Sequence, residues 1–236
     1  ERPMPLAWKL LFAAVAELGY ALLTRAWMPE QFDGIALELW VTGARAATAA
    51  LYWWLFRDLI WSRAPRAGNA RRPLCIAAIA VVMLAPVLAG DWAVGDLATQ
   101  VVFALTSVVV GLREELLYRG VVQNLLEPRL GWVGAIVVSN VIFTLYHYGA
   151  WPFTFLNLLE FFTVGCLVGL LYWGSGSLWL VVAFHAAYDA VWSFTPLLPA
   201  PLSQAWGAVL QVAALLLAAW WAARLAAGAR GPTSSG

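Results

Sequence analysis

The sequence predicts an all-α, polytopic membrane protein, with about eight transmembrane helices in one bundle around an intramembrane polar cavity. Three observations lead there. Of the 236 residues, 63% are hydrophobic and only 11% are charged, against about 25% charged in an ordinary soluble domain. The 14 Lys and Arg and 13 Asp and Glu are too few to cover a water-soluble chain of this length, so most of its surface faces lipid. Apolar stretches long enough for a ~30 Å hydrocarbon core recur from end to end, with Gly and Pro marking the breaks. The same composition excludes disorder, since 14% of the residues are aromatic and charge is low. A net charge of +1 with dispersed basic residues excludes nucleic acid as a partner. Cys75 and Cys166 lie in apolar runs and suggest neither a disulfide framework nor a thiolate metal site.

The eight stretches cover residues 5–28, 35–61, 74–89, 96–126, 132–147, 155–173, 178–194 and 202–225. The first reads as a span and not as a cleaved leader, because no convincing cleavage site follows it. The third and fifth are short and suggest tilted, kinked or partly re-entrant elements. The breaks fall at Pro29, at Pro65 to Pro73, at Gly90, at Pro128 with Gly131, at Pro152, at Gly174 with Gly176, and at Pro196 to Pro201. Residues 1–230 are therefore expected to form one domain, and 231–236 to be a flexible tail or cloning remnant.

Orientation follows from the loops. Arg2, Lys9, Arg57, Arg63, Arg66, Arg71, Arg72, Arg129, Arg224 and Arg230 mark one side, while Asp33, Asp91 and Asp96 mark the other, with Arg25 as the exception. Both termini are expected in the cytoplasm, which requires an even number of spans. Trp8, Trp27, Trp61, Trp92, Trp132, Trp151, Trp173, Trp220 and Trp221 lie near span ends and read as an interfacial belt.

The fourth span carries charges that lipid disfavours: Arg113, Glu114, Glu115 and Arg119. Each ionised group near the bilayer centre costs at least ~2.5 kcal/mol, so such residues are functional candidates. Their sum is zero, and a purely structural ionic knot is the competing reading. Helical spacing sets Glu115 and Arg119 on one face as an ion pair and turns Glu114 about 100° away, free to face a cavity. The chain's two histidines, His147 and His185, also lie in spans, and His185 is four residues before Asp189. Glu114, the histidines and Asp189 are groups suited to binding and deprotonating a water molecule. Depth supports the first pairing: Glu114 is roughly 20 Å, and His147 roughly 24 Å, from the same end of the bundle at 1.5 Å per residue. His185 reaches that height only if the turn at Gly174 to Gly176 is sunk into the protein. Gly165 and Gly169 form a GxxxG step expected to serve close helix packing. Glu160 is expected either to line a water-access route or to sit at its mouth.

In order along the chain, Glu114-Glu115-x-x-x-Arg119, Phe143-x-x-x-His147 and His185-x-x-x-Asp189 resemble the motifs of the CPBP family of intramembrane proteases, which includes the CAAX prenyl endopeptidases. The connector Phe162-x-x-Gly165-x-x-x-Gly169-x-x-Tyr172 with Ser177-Leu178-Trp179 is similar too. The resemblance spans about 112–192 and implies a catalytic core at about 96–194, and the first three spans add no motif. It implies an intramembrane endopeptidase acting on a membrane-anchored or lipidated peptide, in contact with membrane lipids; the Ala, Arg and Trp bias of the sequence suggests a GC-rich genome and hence a bacterial cytoplasmic membrane. The resemblance implies Glu114 as the base activating a water, His147 holding that water, and His185 with Asp189 at the oxyanion. Asp189 lacks the donor that an Asn would supply and is expected instead to orient His185. Glu115 and Arg119 are implied as a supporting pair. Catalysis without a cofactor is the expectation; the alternative is zinc held by Glu114, His147, His185 and Asp189. Two other functions stay open: a non-catalytic scaffold or immunity protein binding a peptide in the same cavity, and a proton-coupled transporter, which predicts inverted repeats not seen between the halves.

Overall fold

A computed structural model describes residues 4–61, 96–147 and 155–194, with helical positions 209, 212, 213, 216, 217 and 220. The stretch 74–89, most of 202–225, the tail 231–236, Cys75 and the Glu160 side chain lie outside the described residues. Every regular element among the described residues is helical, as the sequence predicts.

Helix α1, Leu6–Gln31, includes a π-helical turn at Leu23–Trp27. It is the one described helix both long and apolar enough to cross a membrane, while Phe161–Ser175 and Leu178–Val191 are apolar but shorter. Helix α2 is Gly34–Trp61. Helix α3, Leu97–Glu115, starts at Asp96, whose carboxylate accepts from the Ala98 amide and so satisfies one of the unpaired first-turn donors. It continues without a break as a π-helical segment, Leu116–Gln123. Helix α4, Asn124–Tyr146, is interrupted at Gly131, whose φ of 69° lies where a Cβ would be strained. Helix α5 is Phe155–Ser175. It is separated by Gly176, also at positive φ, from α6, Leu178–Ser193. These bounds match the predicted stretches at 5–28, 35–61, 96–126, 155–173 and 178–194 to within a few residues; the stretch predicted at 132–147 corresponds to the part of α4 that follows the interruption at Gly131.

Polarity is distributed opposite to that of a soluble protein. Trp8, Leu11, Val15, Leu18 and Leu22 of α1 are exposed, as are Leu105 and Val108 of α3, whereas Arg113, Glu115, Arg119, Gln123 and Asn140 are fully buried. The apolar core around them joins Tyr52, Leu55 and Phe56 of α2 to Leu116, Ile136, Leu167 and Val181. Helices α2 and α3 run in the same direction, since Thr106 bonds Glu38, Arg113 bonds Thr48 and Gly120 lies against Ile60. Of the tryptophans read as an aromatic belt, Trp8, Trp27 and Trp61 are exposed, whereas Trp173 is buried and stacks on the part-buried Trp132 with centroids 4.5 Å apart, in the packing between α4 and α5.

Helix α6 crosses α3 at Gly111. A Cβ there would meet Val182 O at 3.1 Å, Ala186 N at 3.2 Å and His185 Cβ at 3.3 Å. Two of these are backbone atoms with little freedom to move. Gly111→Ala is expected to push α6 outward and to cost about 1–3 kcal/mol, as overpacking does, read as a lower midpoint of thermal unfolding in detergent. Gly43→Ala, which has open space around it, is the control.

Candidate active site

Glu114 and Glu115 are the last residues of regular α-helix before the π-helical segment. Wide turns of this kind often mark functional positions. Adjacent on the helix, the two carboxylates point to different partners. Glu115 is completely buried: Arg119 Nε lies 3.2 Å from its Oε2, and His185 Nδ1 donates to its Oε1 at 2.6 Å. The Arg119 guanidinium also donates to Gly165 O at 2.6 Å and Asn140 Oδ1 at 3.2 Å and lies over the Phe143 ring at 5.4 Å. The expected Glu115–Arg119 pair is therefore present. The expected orientation of His185 is corrected: its short bond runs to Glu115 on α3, while Asp189 Oδ2, one turn along its own helix, is 3.6 Å from Nε2. Sequence spacing finds partners on the same helix, and here the stronger partner comes from another.

Glu114 faces the space the sequence assigned to it. His147 Nε2 is 3.8 Å from Oε1 and His185 Nε2 is 3.8 Å from Oε2. The three predicted residues meet, and Asp189 adjoins them through His185. The Gly174 to Gly176 turn thus lies deep enough to bring His185 level with Glu114.

The two histidines are bonded differently. His147 Nδ1 lies 2.8 Å from Phe143 O. A carbonyl only accepts, so this nitrogen carries the proton, and in the neutral ring Nε2 is a bare acceptor. It faces a carboxylate oxygen, a second acceptor, across a gap too long for a direct hydrogen bond. One donor with two hydrogens, such as water, satisfies both. The His147 ring is fixed by stacking on Phe161, centroids 4.8 Å apart, and by Phe143 at 4.5 Å. Ring nitrogens and carboxylates suit zinc by type, yet among the described residues no three His, Cys, Asp or Glu are grouped to hold a metal ion.

Sequence reasoning missed the partners on α1 and α2. Glu17 of α1 accepts from Arg113 Nη2 with both oxygens at 2.6 Å and also from Tyr52 Oη. Arg113 further donates to Thr48 Oγ1 at 3.1 Å and Tyr146 Oη at 3.2 Å, and lies over the Tyr20 ring at 3.8 Å. On α2, Glu38 accepts from Arg45 at 2.7 Å and from Thr106 at 2.8 Å. The signal was available: Glu17 and Glu38 are carboxylates inside apolar runs, no less conspicuous than Glu114.

Gly165 and Gly169 do more than permit packing. A Cβ on Gly165 would lie 2.1 Å from Asn140 Oδ1, and the Gly169 carbonyl accepts from Gln123 Nε2 at 3.1 Å. Both expose backbone acceptors of α5 to buried side chains of its neighbours.

Glu115→Ala would leave Arg119 buried with no carboxylate. A loss of about 3–5 kcal/mol in stability is expected, as for other broken buried pairs, and a smaller loss for Glu115→Gln, both measured by thermal unfolding in detergent.

No curated protein and no solved structure matches the chain. Residues 96–191 match the family model described as Rce1-like, type II CAAX prenyl endopeptidase Rce1-like. That segment holds Glu114, His147, His185 and Asp189, and over it the chain is similar to the CAAX prenyl endopeptidases, a family of membrane-embedded peptidases.

Proposed function

We propose that the protein is an intramembrane endopeptidase that hydrolyses a peptide bond with a water activated by Glu114 and His147. The observation that carries this reading is the convergence of both Nε2 atoms, each at 3.8 Å, on the two oxygens of Glu114. A water in that gap donates one hydrogen to His147 Nε2 and the other to Glu114, leaving an oxygen lone pair for the substrate. Glu114 takes the proton as the water oxygen bonds the carbonyl carbon. The tetrahedral intermediate collapses by breaking the C–N bond, and Glu114 returns that proton to the leaving amine. His185 has a different part. Its Nδ1 is committed to Glu115 and its Nε2 lies near Glu114 and Asp189; in its doubly protonated form it presents Nε2–H to the oxyanion, where a fixed donor has most effect. Asp189 flanks that donor.

The route as proposed needs no metal, since Glu114 itself takes the proton of the water. The substrate is a membrane-anchored or lipidated peptide, entering from lipid or the headgroup layer: in a bacterium, a leader peptide, a peptide pheromone or a C-terminal sorting signal. The setting is the bacterial cytoplasmic membrane, with eight spans and both termini cytoplasmic.

The test is cleavage of a library of lipidated and membrane-anchored peptides by purified protein in vesicles, read by mass spectrometry. Glu114→Gln and His147→Ala are expected to lower the rate by about 100-fold or more while thermal unfolding stays near wild type. Full cleavage by Glu114→Gln overturns the mechanism. Exhaustive chelation with 1,10-phenanthroline is expected to leave the rate unchanged, and a loss restored by added zinc would assign the water to a metal.

A further inference from the structure

Two of the site's residues are immediately preceded in sequence by residues tied to α1. Arg113 comes before Glu114 and Tyr146 before His147. Arg113 is bonded by both Glu17 oxygens at 2.6 Å and covers the Tyr20 ring at 3.8 Å. Tyr146 is held twice: Arg25 donates to its carbonyl at 2.7 Å with the guanidinium 4.7 Å over its ring, and its hydroxyl accepts from Arg113 at 3.2 Å. The Tyr146 carbonyl belongs to the last turn of α4, where intrahelical donors run out. Arg25 thus caps the helix end that carries His147. Glu17, Tyr20 and Arg25 all belong to α1, which lies outside the family match at 96–191.

His185 is held otherwise, by Glu115 on α3. The link from α1 therefore acts on the Glu114–His147 side of the site and not on the His185 side.

We propose that α1 is a positioning strut of the catalytic centre: Glu17, acting through Arg113 and Tyr146, sets the gap between Glu114 and His147 in which the water is held. Glu17 touches no reacting atom. The inference rests on the reading of Glu114 and His147 as the water-activating pair, and its consequence is selective. Loss of Glu17 shifts Arg113 and Tyr146, and with them the two acceptors, without disturbing the Glu115–His185 bond. Misplacement on this scale acts on turnover more than on binding.

The chain has only two histidines, so protein labelled with ¹⁵N-histidine, and purified through a histidine-free tag, gives two sets of imidazole signals, assigned with His185→Gln. Glu17→Gln is expected to move the His147 signals more than those of His185, whose Nδ1 bond to Glu115 is kept. Its kcat should fall by about tenfold to a hundredfold with KM within about twofold, and Glu17→Asp should recover part of the loss. Should Glu17→Gln fail to fold around an unpaired Arg113, the Glu17→Gln/Arg113→Gln double variant carries no unpaired charge and is expected to show the same shift and loss. Unmoved His147 signals with wild-type kcat in the folded single or double variant overturn the proposal. A double variant restored to wild-type kcat also overturns it, since Glu17 would then serve only to neutralise Arg113. Glu114→Gln in the same assay separates the two ideas: if it still cleaves, the proposed mechanism fails, whereas if it is dead and Glu17→Gln is fully active, only the strut fails.

Discussion

Glu115 is fully buried with one oxygen 2.6 Å from His185 Nδ1 and the other 3.2 Å from Arg119 Nε, and the site is assembled around that carboxylate. In a lipid-embedded bundle water is not at hand to screen a charge, so a buried ion persists only where opposite charge and hydrogen bonds surround it. Glu115 meets that demand by drawing in one partner from its own helix and one from α6, and so fixes His185 relative to α3. Arg119 passes the link onward through Gly165 O and Asn140 Oδ1 to α5 and α4. Arg113 with Glu17 and Arg45 with Glu38 obey the same rule, joining α1 to α3 and closing α2 upon itself. Charge balance, needed first for the chain to enter lipid at all, doubles as the scaffold of the candidate site.

Backbone proximity makes such short bonds reachable. Gly111 lets α6 approach α3 until a Cβ would meet its backbone at 3.1 Å, and Gly165 makes room for Asn140. Between helices whose outer faces are as apolar as the lipid, burial of apolar surface gives little driving force for association. Close packing and interhelical hydrogen bonds supply the rest. Small residues are thus found where polar side chains of one helix must reach carbonyls of another, as Arg119 reaches Gly165 and Gln123 reaches Gly169.

The two histidines show how like side chains acquire different roles from the group behind them. Behind His147 stands the neutral Phe143 carbonyl, which fixes the tautomer and leaves Nε2 to accept. Behind His185 stands the Glu115 carboxylate, which suits a ring that donates from both nitrogens. One ring is thereby suited to hold a water and the other to face developing negative charge.

How much of this was legible in the sequence depends on the range of the interaction. The helical, lipid-facing character followed from composition alone, because burial in lipid is a bulk property of many residues. The helix limits at Gly131 and Gly176 were legible because positive φ selects glycine locally. The Glu115–Arg119 pair followed from four-residue spacing, and Glu114, His147, His185 and Asp189 stood out because ionisable groups within apolar runs are few. The partners of those groups were not legible. That Glu115 and not Asp189 holds His185, that Glu17 holds Arg113, and that Trp132 and Trp173 stack inside the bundle are contacts between helices distant in the chain. The sequence by itself determined which residues had to find a partner, since lipid forbids them to stand alone. The tertiary structure decided which partner each one found, since that depends on how closely and at what height the helices cross.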